Sequence, residues 1–400
     1  MADNTLNKSS LIAPRMVQML HAKGMLPNTL DQSRTETMTQ RKYAPGTTIS
    51  VDIEHQPSVT QGAVSNVQDV VNRTVDVTVN QYNNAEKWTS IEARYDMNSD
   101  QGVRDYADSL AKRLIREVDK TGFDYMAKHA SNSVGTPGVD AGAIKTWGEG
   151  AAKIDDQLGD TEIFGAVNPM GHVALTDALK GANNPKLSNP IMNRQMKECA
   201  GINFYKCNSI SRFTKGTATN STPVMNGATA DGAATISING LSAATATITE
   251  KTHFTIDACY AVDPETKVAL PYLKDFSVTA TGTGSGSAIA ALAISPTIYG
   301  PDSPHQNVDA LPLTGAALTL TIDDNGACNI LYTRDAFTLI ALPLPHAQGD
   351  VHTSANRGGI VIRTGFGSWN TTNDTQVFRC DAAWGFGAIR PDHATKVGGA

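Results

Sequence analysis

The stretch "QGVRDYADSLAKRLIREVDKTGFDYMAKHA" (101–130) reads as one uninterrupted helix. At 1.5 Å per residue it spans about 45 Å, whereas a small compact domain is about 30 Å across. Any fold for this chain must house that rod. Asn98 or Ser99 serves as its N-cap, and Asp100 lies in the first turn, where the helix dipole favours an anion. Val103, Tyr106, Ala107, Leu110, Leu114, Val118, Tyr125 and Met126 trace one stripe. Asp100–Arg104 and Asp108–Lys112 are i,i+4 pairs in the favourable order. Gly122 costs up to about 1 kcal/mol relative to Ala, and a bend is expected there. A one-sided stripe places the helix on a surface rather than through a core.

The flanking segments change period. "SSLIAPRMVQMLHAKGML" (9–26) reads as a short Met-rich helix, with Pro14 in its first turn and Gly24 as its stop. Met16, Met19, Leu20 and Lys23 follow at helical spacing. Two readings stand: a helix packed on its own core, or an arm that docks on another chain. Between Thr47 and Tyr82, Ile49, Val51 and Ile53 alternate with polar residues, and so do Val75, Val77 and Val79. These are two period-2 strands of an antiparallel hairpin that projects. After the long helix come a helix (142–160), the strand "TEIFGAVNP", the helix "MGHVALTDALKG" and the strand "GINFYKCNSI". From about Lys215 to Pro304 charge thins out, and Thr, Ala, Gly and Ser dominate short β-prone runs. That is the pattern of an all-β insert. Strands return at 327–346, and 359–394 reads as a closing hairpin that turns near Asn373–Asp374.

Chemistry is sparse. The net charge of −6 argues against a general nucleic-acid binder, because phosphate contacts need excess Lys and Arg. Cys199, Cys207, Cys259, Cys328 and Cys380 are odd in number and widely spaced, as suits free thiols. No basic-then-apolar leader opens the sequence, and "AIAALAI" (288–294) is far shorter than the ~20 residues that span a bilayer. "TGTGSGS" (281–287) lacks the Lys and Ser/Thr of a phosphate loop. No G-x-S-x-G elbow occurs, and no H-E-x-x-H. Asp155–Asp156 and Asp323–Asp324 are adjacent, so their side chains point apart and make poor acid/base or metal pairs. The expectation is no enzyme, no cofactor and no metal. What remains is a building-block plan, since projections need neighbours and repeated contacts around closed axes give shells.

Several stretches carry a family likeness in this order: "SVDIEHQPSVTQGA" (50–63), "DSLAKRLIREVDKTGFDYMAKHA", "EIFGAVNPMGHVALTDAL", "ISRFTKGTAT" (210–219), "ACNILYTRDAFTLIALPLPHAQGD" and "WGFGAIRPDHATKVGG" (384–399). The arrangement resembles the major capsid (coat) protein of tailed bacteriophages, closest to the short-tailed phage coat proteins with an inserted β-barrel domain. The resemblance implies an α+β fold with an N-terminal arm (1–45), an E-loop hairpin (46–90) and a peripheral domain with a spine helix (91–140). An axial domain (141–217), an inserted β-barrel (218–312) and a return to the axial and peripheral domains (313–400) follow. It implies a capsid subunit that forms hexamers and pentamers of a procapsid, which expands when DNA is packaged. The expected partners are copies of itself, a scaffolding protein, the portal, decoration proteins and enclosed double-stranded DNA held without specific binding; no membrane is expected. The expected location is the virion, with assembly in the host cytoplasm. Glu54, Gln56, Thr60, Gln61 and Arg73 are the implied E-loop contacts between subunits. Met16, Met19, Leu20 and Lys23 are the arm's partner or scaffold contacts, and Leu110, Leu114 and Val118 pack the spine helix. A β-rich surface or tail-associated binding protein, and a cytoplasmic hydrolase with a fold-assembled site, are the alternatives.

Overall fold

The computed structural model describes residues 9–35, 48–53, 67, 72–89, 100–158, 162–178, 198–218, 222–321, 325–345, 351–357, 360–368 and 370–399. Its helices are Ser9–Lys23, Leu26–Thr29, Asp100–His129, Ile144–Leu158 and Pro169–Ala178. Ahead of the long helix run β1 (Thr48–Ile53), β2 (Arg73–Thr78) and β3 (Asn80–Thr89). After it come β4 (Asn132–Val134), β5 (Ile163–Val167), β6 (Glu198–Cys199), β7 (Ile202–Lys206) and β8 (Arg212–Phe213). The low-charge region holds β9 (Val224–Met225), β10 (Ala233–Asn239), β11 (Thr247–Ile248), β12 (His253–Val262) and β13 (Ala269–Val278). It continues through β14 (Gly282–Thr283), β15 (Ile289–Ile298) and β16 (Leu318–Thr321). The chain closes with β17 (Gly326–Ala327), β18 (Asn329–Thr333), β19 (Phe337–Leu342), β20 (Val351–Arg357), β21 (Ile360–Phe366), β22 (Thr375–Ala388) and β23 (Ala394–Val397). The chain divides into two units: 1–51, 75–122 and 338–387, and 52–74, 123–337 and 388–400.

In the first unit, β22 lies between β21 and β3, pairing Thr375–Trp384 with Thr89–Asn80. Aromatic residues hold the long helix to this sheet. Tyr106 stands edge-on to Trp88 and Phe378, and Trp384 stacks on Tyr82 at 4.0 Å while donating to Thr121 Oγ1 at 3.1 Å. Leu110, Leu114 and Val118 are buried, with Ala111 and Ile115 beside them. Lys112, Arg113, Arg116 and Lys120 face solvent, so this half of the helix is one-sided, as its stripe requires. From Thr121 to Ala130 no residue is exposed. The second half is therefore embedded rather than laid on a surface, because an apolar run around Phe123, Met126 and Ala127 widens the stripe. The helix runs unbroken through Gly122, which serves close approach: a Cβ there collides with Leu26 and Phe386. Asp108 takes Arg15 as its partner, in a fork of 2.9 and 3.2 Å that outcompetes the local Lys112. Side chains at Asp100, Val103 and Arg104, and the cap residues Asn98 and Ser99, lie outside the described residues.

The N-terminal helix docks on its own chain. Ile12, Ala13, Met16, Val17, Met19 and Leu20 are all buried, and Met16 sulfur meets the Cys380 thiol at 3.8 Å. Pro14 sits inside this helix, not in its first turn, because the helix already begins at Ser9. Asp119 of the long helix accepts the Leu26 backbone N–H at 3.2 Å, capping the short second helix. Downstream, Leu339 N–H donates to Asp31 O, and Thr35 donates to Leu339 O. The β1–β2 ribbon buries Ile49, Val51 and Val77, with Ser50 bonded to Asp76 at 2.6 Å. Val79 is buried too, so the apolar side of the hairpin's described part is covered by its own chain.

The second unit contains two six-stranded sheets. One is mixed, ordered β4-β23-β18-β5-β7-β6, with β5 and β7 parallel and joined across the Pro169–Ala178 helix. Trp147 of the Ile144–Leu158 helix is fully buried against it, edge-on to Phe204 at 5.2 Å, and its indole N–H donates to Ala141 O. The other sheet, β16-β12-β13-β15-β10-β9, nearly closes into a barrel. Its ends meet where Leu318 N–H donates to Pro223 O and Met225 N–H to Ala316 O, each at 2.9 Å. Phe254 stacks on Phe276 in a core with Ile236, Ile238, Leu292 and Ile298. Low charge and small side chains suit strands whose inner faces fill one narrow interior. The core runs from Ala218 to Leu318 and the closing strand ends at Thr321, so a segment stopping at 312 omits β16. The β8–β17 pair forms the stem, with Phe213 opposite Gly326 and Arg212 opposite Ala327.

Candidate functional site

Among the described residues, no three His, Cys, Asp or Glu side chains stand close enough to hold a metal ion. The Asp323–Asp324 pair lies outside them. Asp155 and Asp156 sit on the exposed side of the Ile144–Leu158 helix. All five cysteines are free, and burial raises the thiols of Cys259 and Cys380 to about 12, so neither is a nucleophile. Among the described residues no helix is long and apolar enough to cross a membrane.

The concentrated polar feature is a seam in the second unit where barrel residues meet the mixed sheet and the end of the long helix. Lys274, only 2% exposed, pairs with Asp392 at 2.6 Å. Asp392 also accepts from Ser131 Oγ, and its backbone carbonyl accepts from Asn132. Lys153 of the helix crosses to Asp275 of β13 at 2.6 Å. Lys251 reaches Asp124 at 2.6 Å, and Lys128 bridges Asp124 and Glu250. Lys396, 5% exposed, donates to Lys251 O and to Ser277 Oγ. Burial works against charge on Asp392 and Asp124, yet their lysine partners hold both carboxyls below the usual value. Burial pushes Lys396 down to about 7. Such pairs fix a single geometry, since misplacing either partner strands a buried charge. The seam performs no chemistry; it locks an insert to its host.

A second feature is apolar and open. On the Pro169–Ala178 helix, Met170 and Val173 are 65% and 53% exposed, three residues apart and so on one face. Tyr205 of β7, also exposed, pairs across from Ala166 at the strand end that leads into this helix.

The residues singled out from sequence distribute unevenly. Glu54, Gln56, Thr60 and Gln61 lie outside the described residues. Arg73 is half-buried, its guanidinium 5.3 Å from the Tyr299 ring centre. Met16, Met19 and Leu20 are buried by their own chain, and only Lys23 of that set is exposed, so the first reading describes this helix's apolar face. Leu110, Leu114 and Val118 are buried together on one unit. The seam was missed. Its signal was present as cations inside β-prone runs, "YLKDFSV" and "ATKV", since a lysine carried into a buried strand must find a partner.

The α+β architecture, with its long helix and near-barrel inserted sheet, is similar to solved structures from tailed phages. One is from Mycobacterium phage Che8, 8% identical, covering 94% of this chain and 90% of that chain with a TM-score of 0.46. A second is the asymmetric unit of the bacteriophage PhiM1 mature capsid, 12% identical, covering 88% and 82% with a TM-score of 0.42. A third is the CUS-3 coat protein I-domain, 26% identical, covering 26% of this chain and 96% of that chain with a TM-score of 0.20. No protein-family model matches the chain. No curated protein matches it either.

Proposed function

We propose that this chain is a structural subunit of a tailed-phage capsid shell, built to associate with copies of itself. The observation that carries the reading is the exposed apolar pair Met170 and Val173, three residues apart on one face of the Pro169–Ala178 helix. Exposed apolar surface on one helix face is what a neighbouring copy removes from water, at about 25 cal/mol per Å² before association costs. A helix of 30 residues braced by a sheet, and an insert locked by buried ion pairs, supply rigidity rather than a cleft for chemistry. The finer parts of the reading are an E-loop over a neighbouring subunit, hexamers and pentamers of an expanding procapsid, and contacts with scaffolding, portal and decoration proteins. They follow from the order of elements alone.

The test is electron microscopy of the full chain produced alone and together with its phage's scaffolding protein. Closed shells are expected. Met170→Asp should leave a monomer with an unchanged circular dichroism spectrum that no longer assembles. Only small oligomers of the native chain under every condition, or normal shells from Met170→Asp, would overturn the reading and its carrying observation respectively.

A further inference from the structure

One cavity in the second unit borders the seam at Asp392 and lies apart from the exposed apolar residues. Its volume is about 100 Å³, room for roughly three waters at about 30 Å³ each or for one small polyatomic ion. Four separate segments wall it: the ends of β1 and β2 at Ile53 and Arg73, the end of the Ile144–Leu158 helix at Gln157, the barrel, and residues 389–393. Pro264, Pro304 and Pro391 stiffen the rim.

We infer that this cavity is an oxyanion-binding site that takes inorganic phosphate or a carboxylate group. Three cationic side chains line it, Arg73, Lys267 and Arg390, against one carboxylate, Asp392. Asp392 is already neutralised by Lys274 and bonded by Ser131. Arg390 is matched by Asp335 at 3.2 Å. Among the described residues no carboxylate lies within ion-pair distance of Arg73 or Lys267. An independent observation points the same way. Gln157 is 95% buried (5% exposed) and lines the cavity, and its Nε2 donor has no acceptor at full hydrogen-bond geometry, the Tyr272 hydroxyl lying near it. A buried N–H left unbonded costs about 1–3 kcal/mol. An oxygen acceptor in the cavity removes that cost, and an apolar occupant does not. Lys267 is pulled below its ordinary value by burial, with Asp263 opposing, as expected of an ammonium awaiting a counter-charge. Asp263 acts on Lys267 only from beyond ion-pair distance, its oxygens accepting the Glu265 N–H and the Thr266 hydroxyl. Arg73 is held over Tyr299, which orients its guanidinium without neutralising it. A bound oxyanion would join four segments of one unit at a single point.

The experiment follows thermal unfolding of the full chain during titration with inorganic phosphate, sulfate or acetate, at ionic strength held constant with chloride. The same phosphate titration is followed by ³¹P NMR line width. A saturable rise in the unfolding midpoint with broadening of the phosphate line is expected. Saturation by phosphate and sulfate alone identifies a tetrahedral anion as the ligand, and saturation by acetate as well identifies the carboxylate. Arg73→Met should weaken the apparent affinity about tenfold, the scale of one charge-assisted hydrogen bond. Lys267 has a φ of 57°, so Lys267→Asn removes the charge while keeping a residue that tolerates this backbone, and it should act alike. Lys120→Met, on the exposed side of the long helix, should change nothing. Equal responses to every salt, or unaltered phosphate affinity in both Arg73→Met and Lys267→Asn, would remove the site. Neither result bears on shell assembly.

Discussion

At the scale of single residues, the long helix is the place where burial can be tested most directly. Leu114→Asp inserts an unpaired carboxylate into the apolar side of the first unit, at a cost of about 3–5 kcal/mol. Loss of soluble folded protein is expected, and a soluble variant with native circular dichroism would mean that this face is not the packed one. Asp119 behaves differently, because it is buried with only backbone N–H partners. Burial raises its carboxyl from the ordinary 3.8 to about 6, with the hydrogen bonds from Leu26 and Met25 opposing. A raised carboxylate favours the fold most when protonated. Its contribution is complete below about pH 4 and is lost as the pH rises through 6. Asp119→Asn, which keeps the acceptor oxygen, should therefore match the native melting temperature near pH 4 and exceed it above pH 6. Equal melting curves across that range would remove the assignment. The helix stripe was legible residue by residue, since 3.6-residue periodicity is local. The partner of Asp108 was not, because Arg15 is distant in sequence and only the fold brings it near.

At the scale of elements, periodicity located most segments, including the helix–strand–helix run 144–178 and the turn before β22. The end of the barrel was harder to see. β16 is a four-residue Thr/Leu strand after a long irregular connection, and nothing local distinguishes it from the body's returning strands. Its pairing with β12, its hydrogen bond from Leu318 N–H to Pro223 O and the bridge between Ala317 and Val224 close the ring. A segment of residues 212–328 should accordingly fold alone and give a dispersed amide spectrum. The shorter segment 218–312 lacks the closing strand and should give a collapsed, poorly dispersed one. Dispersion in the shorter segment would show that closure is dispensable. The seam also lay beyond sequence reading. Lys274 and Asp392 are bonded at 2.6 Å across 118 positions, so local pattern shows at most that each needs a partner.

At the scale of the whole molecule, the order of elements was legible in the sequence, while which apolar faces the chain covers itself was not. Among the described residues the apolar sides of the N-terminal helix and of the hairpin are buried, while Met170 and Val173 on the Pro169–Ala178 helix are exposed. Amphipathic patterning shows that a face must be covered and is silent on whether its own chain or a sibling covers it. The insert makes the same point. Phe213 and Gly326 face each other, and antiparallel neighbours lie about 5.5 Å apart, so a two-residue turn could replace residues 214–325. That excision would leave Asp392 without Lys274. The shortened chain should melt below the full one, with Asp392→Asn restoring part of the loss; an excised chain as stable as the native one would refute the seam's role. Evolution could therefore acquire or discard such a cassette through a doorway two strands wide, but only by rewiring the charges on the floor beneath it.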